Sequence, residues 1–261
     1  MKTPFFSIIT CTYNSDKYLE KNILSIEKQN FTNFEHIFID GFSTDGTLEI
    51  IKKYQAKYPN QVKLFQFKPE GISNAMNQGI EESSGEYLIH LHSDDQLYDD
   101  NVLKDVVNFL EQSNFPDWIY GKINVVKDGK NLGTFPNKKI WQRIEGDALK
   151  NYLLKFNNYI PHQAVFIKKT VFEQLGNFDE SLTSGMDPDL WLRIRNKTRW
   201  FYFNRIISNY SIRADAQSSG TKTRAENLNN HLIVQKRHLN FFELIVARIV
   251  SSIIKSKKSQ Y

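Results

Sequence analysis

Two adjacent aspartates, Asp94 and Asp95, follow directly on an apolar run at 87–91, so a pair of carboxylates stands where a buried strand should reach the surface. Such a pair repels itself unless a cation is shared. Hard oxygen donors at a strand end suit Mg²⁺ or Mn²⁺, taken together with the phosphates of a substrate. This points to an enzyme that handles a nucleotide diphosphate. Aspartate also caps helices, and 101–111 has a helical pattern; Asp99 and Asp100 stand nearer its start, so capping accounts for that second acidic pair better than for the first.

The elements that must hold these carboxylates are legible in the first hundred residues. Apolar β-rich runs at 5–12, 34–40, 62–67 and 86–91 alternate with helical patterns at 16–29, 47–58 and 73–82. Strand and helix in alternation imply right-handed crossovers and an α/β fold, with a mostly parallel central sheet covered by helices on both faces. Ligands in such folds bind beyond the carboxyl ends of the strands. Thr12, Tyr13 and Asn14 follow the first strand, Asp40 closes the second, and Asp94 and Asp95 follow the fourth, which converges polar groups on one crevice. Neither G-x-G-x-x-G nor G-x-x-x-x-G-K-[ST] follows the first strand, so a dinucleotide site or P-loop is not supported. A divalent cation held by Asp95 is the simplest substitute for a glycine cradle.

After residue 113 the alternation weakens. A strand is expected at 118–126, a turn at Asp128-Gly129, a mainly helical stretch at 140–156, and a strand at 163–167 leading into a short helix to Leu175. In the segment from Gly185 to Arg193, Pro188 suits the first turn of a helix with Asp187 as its N-cap and Leu190, Trp191 and Ile194 on the apolar face. Local pattern alone makes Asp187 a cap and Trp191 a core residue rather than a sugar platform. His162, which precedes a strand, reads either as a contact to acceptor or phosphates or as a structural hydrogen-bonder. Arg213 reads as a solvated loop residue, with approach to the diphosphate as the alternative.

At 261 residues and 40% hydrophobic content the chain is long enough for a well-buried core, which excludes a disordered protein. The single cysteine, Cys11, excludes an internal disulfide and reads as a buried strand residue rather than a nucleophile. The short apolar stretch near the N-terminus lacks a cleavage pattern, so a cytoplasmic protein is expected. The net charge of +5 is carried at one end: from residue 222 onward eight Lys and Arg face two Glu, and the residues before them sum to −1. A near-neutral body with a basic tail argues against nucleic acid as partner and for a surface-seeking tail. Between 239 and 254 the residues Phe242, Ile245, Val246, Ile249, Val250 and Ile253 gather on one side of a helical wheel. That stretch is too short and too charged to span a bilayer, and suits either an anionic membrane surface, contacted through 238–258, or packing on protein.

Taken in order, seven segments make the chain resemble the family 2 glycosyltransferases of GT-A, Rossmann-like fold over about residues 4–215. They are Ser7-Ile8-Ile9-Thr10-Cys11-Thr12-Tyr13-Asn14, Phe38-Ile39-Asp40-Gly41-Phe42-Ser43-Thr44-Asp45-Gly46-Thr47, Gly71 to Ile80, Ser93-Asp94-Asp95, Pro161-His162-Gln163, Gly176 to Glu180, and Met186 to Arg193. The resemblance implies a domain at 1–215, and the residue pattern beyond it makes 216–261 a basic amphipathic helical tail. It further implies inverting transfer of a sugar, from a UDP-sugar or another nucleotide-diphosphate sugar, to a hydroxyl of a glycan or lipid-linked acceptor. Thr12, Tyr13 and Asp40 would then flank the base, with Asp40 accepting from a pyrimidine ring N–H. Asp95 would ligate the metal, Asp94 would face the ribose or the sugar, and Asp187 would be the catalytic base. Cys11, Met186 and Lys122 depart from the common pattern without removing a residue the chemistry requires. A sugar nucleotidyltransferase and a non-catalytic membrane-associated scaffold of the same fold are the alternatives; the former would open with a Gly-rich basic loop where Thr12-Tyr13-Asn14 stands.

Overall fold

The computed structural model describes residues 3–127, 129–136, 152–156, 158–212 and 221–247, with 221–228 described as backbone. The expected strands and helices of the first half form within a residue or two of their sequence patterns: β1 (Phe6–Thr12), α1 (Asp16–Glu27), β2 (Phe34–Asp40), α2 (Thr47–Lys57), β3 (Val62–Gln66), α3 (Ile72–Glu82) and β4 (Tyr87–His90). A short β5 (Gln96–Leu97) and α4 (Val102–Gln112) follow. The second half contributes β6 (Trp118–Lys127), β7 (Lys130–Phe135), a 3₁₀ turn (His162–Ala164), β8 (Val165–Lys168), α5 (Lys169–Leu175), α6 (Met186–Ile194), β9 (Trp200–Ile212) and α7 (Thr221–His238). Most of the helical stretch expected at 140–156, Asp128 of the expected turn, and Arg213 lie outside the described residues.

One sheet runs in the order β3-β2-β1-β4-β8-β6-β9-β5, with β7 paired to β6. Its first four strands are parallel and all come from the amino-terminal half; β8 enters antiparallel beside β4 and β6, and β6 and β9 form a separate parallel pair. β9 was not among the sequence expectations. It pairs in parallel with β6 and is half-buried along much of its length, so it lacks the two-residue alternation of a one-sided strand.

Both faces of the parallel part are covered, and alternate residues point to different helices. Along β2, Ile37 and Ile39 pack with Met76 and Ile80 of α3, while Phe38 packs with Leu19 of α1 and Ile51 and Tyr54 of α2. In the second half α6 lies on a stack of tryptophans: Trp118 is 4.7 Å from Trp200 and 5.4 Å from Trp191 between ring centroids. Trp191 is therefore core.

Two capping expectations are corrected. α6 starts one residue before Asp187, with Gly185 at its N-cap in the left-handed region (φ 77°), where a side chain would be strained; Asp187 is free to point elsewhere. The N-cap of α4 is Asn101; Asp99 accepts the Asn101 N–H at 3.0 Å and also two bonds from Arg205 Nη2 of β9 at 2.6 and 2.7 Å.

Candidate active site

The carboxyl ends of β1, β2 and β4 open into a cleft of about 940 Å³ lined by Thr12, Tyr13, Asn14, Asp40, Asp94 and Asp95. Residues from three strand ends that are up to 83 positions apart in sequence thus share one hollow, as the fold rule requires. Lys68, Gln78, Gln163 and Tyr210 add further polar groups to its wall.

The loops after β1 and β2 are stitched together. Asn14 N–H donates to Ser43 Oγ at 2.9 Å, Thr44 N–H to Asn14 Oδ1 at 2.9 Å, and Ser15 N–H to Thr47 Oγ1 at 2.7 Å. Asn14 and Phe42 both hold positive φ, 49° and 59°, a cost the cross-loop bonds sustain. Gly41 permits the close approach of Tyr13: a Cβ at 41 would come within 3.1 Å of its ring. Asp40 is fully buried and its carboxylate accepts four donors, Thr12 Oγ1 (2.9 Å) and Ser43 Oγ (2.6 Å) on one oxygen, Ser43 N–H (2.9 Å) and Gln66 Nε2 (3.4 Å) on the other. Those four fill a carboxylate's lone-pair positions, and Gln66 holds the longest of them.

Asp95 is 1% exposed. Its backbone is fixed by α1, whose Asn22 side chain donates to the carbonyls of both His92 and Asp95 at 2.9 Å. Gln29, just past the C-cap of α1, donates to Asp99 O at 2.7 Å and accepts from Leu103 N–H at 3.1 Å. Sequence reasoning missed these two polar residues. Asn22 shares the buried face of α1 with Leu19, Ile23 and Ile26, and a buried amide must have partners, but which partners is not written in the local sequence. Among the described residues no group of three or more His, Cys, Asp or Glu side chains is arranged to cage a metal. The donor chemistry of Asp94 and Asp95 nevertheless fits Mg²⁺ or Mn²⁺, ions that commonly take one or two carboxylates and complete their shell with substrate phosphates and water.

His162 and Asp187 do not line this cleft. They are joined to it through His92, which does, and whose ring stacks on His162 at 5.3 Å. His162 is 7% exposed, has His90 at 5.5 Å on its ring, and brings Nδ1 to 3.3 Å from Asp187 Oδ1. The Asp187 side chain keeps 26% of its surface exposed. Burial acts to raise the Asp187 carboxyl, but His162, His92 and His90 together outweigh it and hold the group below the ordinary carboxylate range. Burial likewise pushes His90 down to about 3 and His92 down to about 4, so both rings are neutral near pH 7. Cys11, at the edge of the cleft, has its thiol pushed up to about 12 by burial, which makes it a poor nucleophile at neutral pH.

The half-parallel α/β fold of the chain is that of solved structures of the GT-A class. It superimposes on Staphylococcus aureus TarS 1-349 in complex with UDP-GlcNAc with a TM-score of 0.71 at 22% identity, over 88% of this chain and 65% of that one. The mannosyltransferase PcManGT of Pyrobaculum calidifontis, in complex with GDP-Man and Mn²⁺, gives 0.65 at 17% identity, over 92% and 66%. The sequence pattern of glycosyl transferase family 2 matches residues 7–176, and the chain belongs to that family. A relative named PGL/p-HBAD biosynthesis glycosyltransferase, from Mycobacterium bovis (strain BCG / Pasteur 1173P2), is 29% identical over 209 residues, 80% of this chain and 72% of its own length. The poly(ribitol-phosphate) beta-N-acetylglucosaminyltransferase TarS of S. aureus (strain Mu50 / ATCC 700699) is 35% identical over 109 residues, 41% of this chain and 19% of its own length.

Proposed function

We propose that this glycosyltransferase transfers a sugar, with inversion, from a UDP-sugar to a hydroxyl of a glycan or lipid-linked acceptor in cell-surface polysaccharide or glycolipid assembly. The observation that carries the reading is the convergence of Thr12, Tyr13, Asn14, Asp40, Asp94 and Asp95 on one cleft, with Asp95 buried at its wall. In this reading Thr12, Tyr13 and Asn14 border the base and ribose, and the base N–H takes the position on Asp40 now held by Gln66. Asp94 faces the ribose or the sugar, and Asp95 holds Mg²⁺ or Mn²⁺. When bound, that ion neutralises charge gathering on the leaving diphosphate.

Asp187 takes the acceptor proton as the hydroxyl oxygen bonds to the anomeric carbon, while the bond from that carbon to the diphosphate oxygen breaks on the opposite face. A carboxylate held below its ordinary range stays ionised and is a weak base, so proton transfer accompanies attack rather than preceding it. His162, 3.3 Å away, orients it. Asp95→Ala and Asp187→Asn are expected to lower UDP-sugar turnover by about 10²-fold or more with folding unchanged. Normal turnover by Asp187→Asn would remove that residue as the base. UDP release from a panel of UDP-sugars in the presence of Mn²⁺ measures both.

A membrane role for the tail belongs to the same proposal, with the enzyme working at the cytoplasmic face. The helix at 241–247 is pinned by Asn240 and Glu243, which cap each other at 3.0 Å, and by the Lys155–Glu243 pair at 2.5 Å. Held so, it turns Phe241 (72% exposed), Phe242 (77% exposed), Ile245 and Val246 outward. No helix among the described residues is long and apolar enough to cross a membrane.

A further inference from the structure

The helix that carries Asp187 is gripped by a later element outside the stretch matched by the family pattern. Asn230, Val234 and His238 recur every four residues, so they lie on one face of α7. That face meets α6 at both ends of its first turn. Asn230 Nδ2 donates to Thr183 Oγ1 at 2.8 Å and Ser184 Oγ at 3.2 Å, in the turn just before the helix. Val234 is 3% exposed and covers the N-cap: a Cβ placed on Gly185 would lie 3.8 Å from its Cγ2. His238 Nε2 lies 2.9 Å from Oδ1 of Asp189, two residues past Asp187. Asp189 is 2% exposed, and its other oxygen accepts from Arg193 Nε at 2.9 Å. Arg237 adds a bond to Asp179 at 2.5 Å and stands 3.6 Å from Asp189.

We propose that α7 is part of the catalytic apparatus, and that His238 is a positioning residue that sets Asp187 through the buried carboxylate of Asp189. The physical reason is leverage on a short element. A nine-residue helix whose N-cap is a glycine in the left-handed region, with no side-chain cap, has little of its own to fix the rotation of its first turn. Asp187 lies between the two grips, at Ser184 and at Asp189. Rotating α6 by a few degrees swings the Asp187 carboxylate across a fraction of an ångström to an ångström, enough to spoil a reaction that depends on alignment of base, hydroxyl and anomeric carbon. The nucleotide end of the cleft is built from β1, β2, β4 and their loops, and α7 touches none of the residues that border Asp40 or Asp95 through the contacts described above. Loosening the grip should therefore affect turnover and leave donor binding alone.

This inference rests on Asp187 being the base, and the experiment separates the two. The full chain and its His238→Ala, His238→Gln, Asn230→Ala and Asp187→Asn variants are compared on whichever UDP-sugar of a panel the wild type turns over fastest with Mn²⁺. UDP affinity is measured by thermal shift on each. His238→Ala is expected to lower kcat about tenfold or more with KM for the sugar nucleotide and UDP affinity unchanged. Glutamine, whose Nε2 can reach the same oxygen, should restore most of it. Asn230→Ala should lower kcat in the same direction, which keeps the inference testable if His238→Ala folds poorly. If Asp187→Asn abolishes turnover while the His238 and Asn230 variants keep wild-type kcat, the clamp is overturned and the base stands. If the His238 and Asn230 variants lose kcat and UDP affinity together, their role is to hold the fold, and the positioning claim fails. If Asp187→Asn turns over normally, the reading beneath the inference fails first.

Discussion

Asp187 stands beside the imidazoles of His162, His92 and His90, and the buried imidazoles of this chain, His36 on β2 included, have a measurable signature in pH. His36 and His90 are both pushed down to about 3 by burial, and His92 to about 4. An imidazole with a folded-state value below the ordinary ~6.5 binds its proton more readily in the unfolded chain. The stabilisation is complete above about pH 6.5, and each such ring removes up to ~1.4 kcal/mol per pH unit as pH falls from there toward the folded value. The Asp187 carboxylate, held low, acts in the same direction but later, losing its contribution only as pH falls through its depressed folded value. Urea midpoints should therefore hold between pH 8 and 7 and drop steadily from pH 6.5 to 4.5. His90→Gln should flatten that slope, and an unchanged slope would show that the ring carries a proton in the folded protein. At this scale Asp40, Asp94, Asp95 and Asp187 are legible in the sequence as polar residues at element ends. Asn22 and Gln29 are not, because their partners are backbone atoms some 70 residues away.

Elements impose their own limits on substitution. Gly79 stands on α3 where the helix presses on β1, and a Cβ there would fall 2.3 Å from Ile9 Cγ2. Ile9 is buried and β-branched, so it has little freedom to withdraw. Gly79→Ala is thus expected to cost about 1–3 kcal/mol in chemical denaturation, although alanine is the better helix former. A neutral or stabilising result would show that α3 can lift from the sheet without penalty. The first four strands and three helices were readable because hydrophobic periodicity is local and each crossover repeats it. β9 was not, since its register with β6 and β5 is a matter of tertiary pairing, and neither of its faces is uniformly apolar.

The whole molecule joins the parallel half with its cleft to an outward-facing aromatic helix. Under the proposed membrane role, Phe241 and Phe242, held outward by the Asn240–Glu243 cap, would enter the interface of an anionic bilayer, assisted by the basic residues that follow at 248–258 in the sequence. Phe241→Ser with Phe242→Ser should reduce co-sedimentation with phosphatidylglycerol vesicles several-fold while UDP affinity stays at the wild-type value. Undiminished vesicle binding would rule out this face as the contact. By itself the sequence determined the alternating α/β plan, the acidic strand ends and the amphipathic character of the tail, because periodicity and residue chemistry act over a few residues. Tertiary structure alone decided that Asp187 meets His162 and not the cleft wall, that Asp40 already carries four donors, and that α7 closes on the helix bearing Asp187. Those outcomes depend on distances between segments far apart in the chain, and local pattern carries no information about such distances.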